Sequence, residues 1–148
     1  MFKLRTKLIN VVSLALVLAL LASPVLAAKG DTIRVTLSSS GVQTNGQSYN
    51  ATLSADGRYV AFQSDATGLV PSDMNNVRDV FVHDTNTGET IRVSVASDGT
   101  QGNLSSQTPS ISANGRYVAF VSESSNLVVG DVNGFADIFV HDRDADAD

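Results

Sequence analysis

The sequence contains no cysteine, which removes disulfides and a lipid-modified N-terminal cysteine from consideration. Basic residues are scarce as well, with 10 Lys and Arg against 15 Asp and Glu and a net charge of −5. An acidic chain of this kind is poorly suited to nucleic acid or an anionic membrane. Beyond Ala28 no segment repeats its apolar residues with a 3.6-residue period, so helices are not expected. Catalytic signatures are missing too. There is no Gly-x-Ser-x-Gly elbow and no His-Glu-x-x-His pair, and the residues supply no nucleophile–base set. No catalytic residue is assigned, and the chain is not read as an enzyme.

What the first 27 residues do contain is an export signal. Lys3, Arg5 and Lys7 make a basic start, and Leu8 to Leu21 is mostly apolar. That run is shorter than the roughly 20 residues a membrane span needs, and Asn10 and Ser13 interrupt it. Pro24 then breaks the segment, and Val25-Leu26-Ala27 places small residues where a signal peptidase reads them. Cleavage is expected after Ala27. The mature chain would be periplasmic or extracellular, with no membrane contact, and without Lys3, Arg5 and Lys7 its net charge is −8.

The rest of the chain is a tandem repeat. Ser54-Ala55-Asp56-Gly57-Arg58-Tyr59-Val60-Ala61-Phe62 returns 58 residues later as Ser112-Ala113-Asn114-Gly115-Arg116-Tyr117-Val118-Ala119-Phe120. Aligned without a gap, residues 32–89 and 90–147 share 27 of 58 positions, including Thr-Ile-Arg-Val at 32–35 and 90–93. A period of this length signals a solenoid, a propeller or an array. Asp-Gly and Asn-Gly are hairpin turns, because Gly and Asn accept positive φ at little cost. The Tyr-Val-Ala-Phe that follows has no polar alternation, as in strands covered on both faces.

Four strands are expected per period, near 48–54, 58–64, 79–84 and 90–95, with 31–37 matching the fourth. The fold class is therefore all-β: two tandem four-stranded antiparallel propeller blades, an incomplete ring. Each of Phe62, Phe81, Phe120 and Phe139 would contribute roughly 1.5–3 kcal/mol on burial. The connection from Asp65 to Arg78 is long, and loops of that length are usually functional or pinned by something.

On these residues, with Asp79-Val80-Phe81-Val82-His83-Asp84 and the Thr87-Gly88 turn, the chain resembles the TolB-like (WD40-like) β-propeller repeat family of exported bacterial proteins. The resemblance implies a propeller segment over residues 28–142, an acidic tail at 143–148, and membership of a larger ring. Propellers close with about 4–8 blades, so two repeats read as a fragment. Segment 31–37 would complete a blade elsewhere, in a longer chain or in another copy.

Candidate sites are few. Asp73-x-Asn75-x-x-x-Asp79 recurs as Asp131-x-Asn133-Gly134-x-x-Asp137, and oxygen ligands at such spacing suit calcium. The same residues also make side-chain-to-backbone turns unaided. No cofactor is required, and calcium is the one the pattern admits. His83-Asp84 and His141-Asp142 end equivalent strands, where the histidine is expected to cap a strand near the surface. Arg58 and Arg116 are expected to reach a neighbouring blade's carboxylate. Function is read as a non-catalytic exported scaffold for protein or glycan partners. The alternatives are a calcium-stabilised adhesion module and the propeller of a hydrolase whose catalytic domain lies elsewhere.

Overall fold

The computed structural model describes residues 29–144; residues 1–28, where the export signal is expected, and residues 145–148 lie outside them. Among the described residues the chain is all-β, without a helix. Its strands are β1 (Ser48–Leu53), β2 (Tyr59–Ser64), β3 (Asp79–Asp84), β4 (Thr90–Arg92), β5 (Ser106–Ile111), β6 (Tyr117–Ser122) and β7 (Asp137–Asp142). They form two antiparallel meanders, ordered β1-β2-β3-β4 and β5-β6-β7.

Three of the four strands expected per period fall where the repeat placed them. The fourth is shorter than expected, and among the described residues the second sheet has three strands rather than four. Segment 31–37 is not a strand in this structure; only Leu37 makes an isolated bridge, to Gln43. A strand exists only where it pairs with an edge, and Thr32–Val35 reaches none in its own chain, although the outer edge of β7 is unpaired among the described residues.

The repeat extends to backbone detail. Phe62 pairs with Phe81, and Phe120 with Phe139, in the same register. Both first strands carry a bulge, between Tyr49 and Thr52 and between Gln107 and Ser110. At its centre sit Asn50 (φ 52°) and Thr108 (φ 57°), exactly 58 residues apart. Asn tolerates that left-handed conformation, whereas a β-branched Thr there is strained.

The two sheets pack face to face. Ala61, Val80 and Val82 of the first sheet, with Val93 just beyond β4, meet Val118 and Phe120 of the second and Leu127 of its long loop. Phe139 packs at the margin of this cluster. The opposite face of the first sheet buries Phe62 and Phe81 with Ala66, Leu69 and Val70 from the loop that follows β2. Tyr59 pins the sheets together. Its ring lies against Gly115, where an added Cβ would approach within 2.1 Å, and Arg143 stacks over it at 4.2 Å. Backbone bonds Ala55 N–H to Ala113 O (2.9 Å) and Ser106 N–H to Arg78 O (2.8 Å) tie the edges.

Candidate functional site

The long loop between β2 and β3 is pinned at both ends. Arg78 closes it with a two-pronged pair to Asp65, at 2.8 and 2.9 Å. Ala66 and Leu69 anchor its first half in the core. Its second half carries Asp73, Asn75 and Asp79, and the fold brings all three together.

Their partners come from the segment after β4. Gln101 donates to Asp73 Oδ1 (2.9 Å) and to Asp79 Oδ2 (3.2 Å), while its own carbonyl accepts Met74 N–H. Asn75 Nδ2 donates to Asp79 Oδ2 (3.1 Å) and to Gly102 O (2.9 Å). Ser94 Oγ donates to Asp79 Oδ1 at 2.6 Å. Arg92 lies 3.5 Å from Asp73 and 3.7 Å from Asp79, with all three side chains nearly inaccessible. Burial raises the Asp79 carboxyl above its usual range, against the pull of Ser94 and Arg92. One guanidinium thus balances two buried carboxylates, in the place where the sequence pattern would put a cation.

The second loop repeats the acidic residues without these partners. Asn133 Nδ2 donates to Asp137 Oδ2 (2.7 Å), and Asn133 Oδ1 accepts Phe135 N–H (2.8 Å). That is the Asx-turn geometry of the first loop, where Asn75 Oδ1 accepts Val77 N–H. Asp131 and Asp137 are half-exposed and Asn133 is exposed. Position 136 is Ala where the first loop has Arg78, so no clamp closes it. Among the described residues, no group of three His, Cys, Asp or Glu side chains converges on one point.

One histidine is placed differently from expectation. His83 is 5% exposed and its Nδ1 lies 2.9 Å from Thr90 Oγ1, inside the fold rather than near its surface. Burial lowers its pKa, and the adjacent Asp84 only partly opposes this. His141 is shifted the same way, by burial and then by Arg143. Arg58 and Arg116 also differ: each forks onto the carboxylate ending its own sheet's third strand, Asp84 (2.7 Å) and Asp142 (2.8 Å). The hairpin after β1 or β5 brings the arginine beside that strand end, so the neighbouring sheet is out of reach. Burial would raise Asp84, but the Arg58 fork together with the Asn86 and Thr87 backbone N–H groups holds the carboxyl low.

Sequence reading did not find Arg92, Ser94 and Gln101. The signal was present, since Arg34 and Gln43 occupy the same repeat positions. No family model and no curated protein matches the chain.

Proposed function

We propose that the chain is an exported, non-catalytic β-propeller segment of TolB-like type that serves as an interaction scaffold for protein or glycan partners. One observation carries the reading. The first sheet buries Val80 and Val82 against the second, while their repeat equivalents Ile138 and Val140 lie 77% and 65% exposed on the second sheet's matching face. Stacked blades have that form: each presents the face its neighbour covers, and a larger ring follows from adding repeats. The non-catalytic part rests on His83, whose Nδ1 is engaged with Thr90 Oγ1 inside the fold.

Two measurements test it. A third copy of residues 90–147 appended after Asp148 should protect Ile138 and Val140 from solvent, read by hydrogen exchange and loss of apolar-dye binding. Continued exposure would overturn the blade reading. Arrays of glycans and exported proteins should give saturable binding, without turnover of ester, peptide or glycoside substrates. Turnover abolished by His83→Ala would overturn the non-catalytic reading, and no saturable partner would overturn the scaffold.

A second reading is favoured by the bare second loop: calcium at Asp131, Asn133 and Asp137, where no guanidinium stands. In the first loop calcium would have to displace Arg92 from Asp73 and Asp79. Calcium in a hundredfold excess over Kd should add about 2.7 kcal/mol of stability. An unchanged Tm between millimolar calcium and chelator would remove it.

A further inference from the structure

The second sheet ends on β7, and among the described residues no strand pairs with its outer edge. In the first sheet that edge belongs to β3 and is covered by β4, with Phe81 opposite Arg92, Val82 opposite Ile91 and His83 opposite Thr90. The sequence of β4 and its next residue, Thr90-Ile91-Arg92-Val93, exists a second time as Thr32-Ile33-Arg34-Val35. This second copy is unpaired in any sheet, with Thr32 and Arg34 exposed.

The match goes beyond the strand. The cluster around Asp73 and Asp79 takes Arg92, Ser94 and Gln101 from residues 92–101. The repeat equivalents of those three are Arg34, Thr36 and Gln43. They line one open cleft of about 300 Å³, together with Thr44, Gly46 and Ser48. The turns that set this arrangement are the same in both places: Leu37 bridges Gln43 as Val95 bridges Gln101. Ser38 N–H reaches Val42 O at 3.0 Å, as Ala96 N–H reaches Thr100 O at 2.8 Å. One end of the molecule therefore carries a preformed basic and amide half-site, and the other carries the acidic half-site of Asp131, Asn133 and Asp137.

We infer that these two ends join head to tail between copies of this chain. Thr32–Val35 of one copy adds to β7 of the next, with Ile33 opposite Val140 and Arg34 opposite Phe139. Arg34 and Gln43 then meet Asp131 and Asp137 as Arg92 and Gln101 meet Asp73 and Asp79. The edge supplies backbone hydrogen bonds, the opposite charges fix the register, and the first sheet's N-terminal layer covers Ile138 and Val140. Such an interface is heterologous, so successive copies close a ring or extend as a filament. The inference rests on the stacked-blade reading and adds a specific partner to it, a second copy.

The absence of native cysteine makes the test direct. A mass-tagged Ile33→Cys chain and a Val140→Cys chain, each recovered after export, are mixed and oxidised. The mixed disulfide should exceed either like pair, and Ile33→Cys with Phe139→Cys, one residue out of register, should give much less. Arg34→Glu alters an exposed side chain and should cut the mixed product by about tenfold, the usual scale for reversing a close charge pair. It should also return the otherwise unmodified chain to single-chain mass in sedimentation. Like pairs only, or association unchanged by Arg34→Glu, would overturn the inference. A persistent monomer whose appended third repeat still covers Ile138 and Val140 would overturn the exchange alone and leave the stacked blades standing.

Discussion

Val80 and Ile138 hold the same place in two copies of one repeat, yet Val80 has no exposed surface and Ile138 keeps 77% of its own. Val82 and Val140 differ in the same way, at 1% and 65%. The residue types are nearly the same, so burial here is a property of the neighbour and not of the strand. The polar residues teach the same lesson. Asp79 is sealed beside Arg92, Ser94 and Gln101, whereas Asp137 has only Asn133. Arg78 clamps the first long loop onto Asp65, and the second loop has Ala136 at that position.

With every variant made in the Arg34→Glu chain, which should stay a single copy, the largest effects should come from the apolar half of the comparison. Phe81→Ala removes a fully buried ring and should cost about 3–5 kcal/mol. Ile138→Ala, on the exposed face, should stay within about 0.5 kcal/mol. Urea denaturation of both variants reads the difference, and equal losses would break the comparison.

The ion cluster comes next. Arg92→Met strands two buried carboxylates and should cost about 3 kcal/mol. Asp137→Asn in the second loop should change stability by less than about 0.5 kcal/mol. A small loss for Arg92→Met would mean that the first loop does not depend on its guanidinium.

Acid should expose what the two repeats share. Burial holds both histidines below the ordinary imidazole value of 6.5. The unfolded chain therefore binds more protons between the lowered values and 6.5, so stability is complete above 6.5 and falls as pH drops through it. The slope is at most about 1.4 kcal/mol per pH unit for each histidine. Asp79, whose pKa is raised by burial, has the opposite sign. Denaturant midpoints from about pH 8 to about pH 6 should fall for the native chain and flatten in His83→Gln with His141→Gln. A midpoint that rises on acidification contradicts the burial of both rings.

The smallest effect sits in the bulges. Thr108→Asn gives the second bulge the residue found at position 50 and relieves a β-branched side chain at φ 57°. A gain of about 0.5–1 kcal/mol is expected, measured as a rise in Tm. No gain would mean that the β-branched side chain costs nothing at this φ, since the backbone N–H bond to Gln63 (2.7 Å) is common to both residues.

Much of this architecture was legible because a repeat is read by comparison with itself. Strand positions, hairpin turns and the paired phenylalanines follow from Asp-Gly, Asn-Gly and Tyr-Val-Ala-Phe. Segment 31–37 misled for an instructive reason: it has the composition of a strand but pairs with no edge of its own chain, and the matching edge, that of β7, stays open. The acidic loop residues were legible as a cluster, and their partners were not, because Arg92 and Gln101 lie between 13 and 28 residues away across a strand and a turn. Nor does the sequence reveal that His83 turns inward to Thr90, since a His-Asp pair at a strand end reads the same whether the ring is covered or open.

Hydrogen exchange on the Arg34→Glu chain, which should stay a single copy, measures the central claim most directly. The two equivalent strands are compared residue by residue, Val80–His83 against Ile138–His141. The stacked, edge-open arrangement predicts strong protection across β3 and weak, alternating protection across β7. Equal protection of the two strands would show that β7 is already covered, and would contradict both the open face and the open edge.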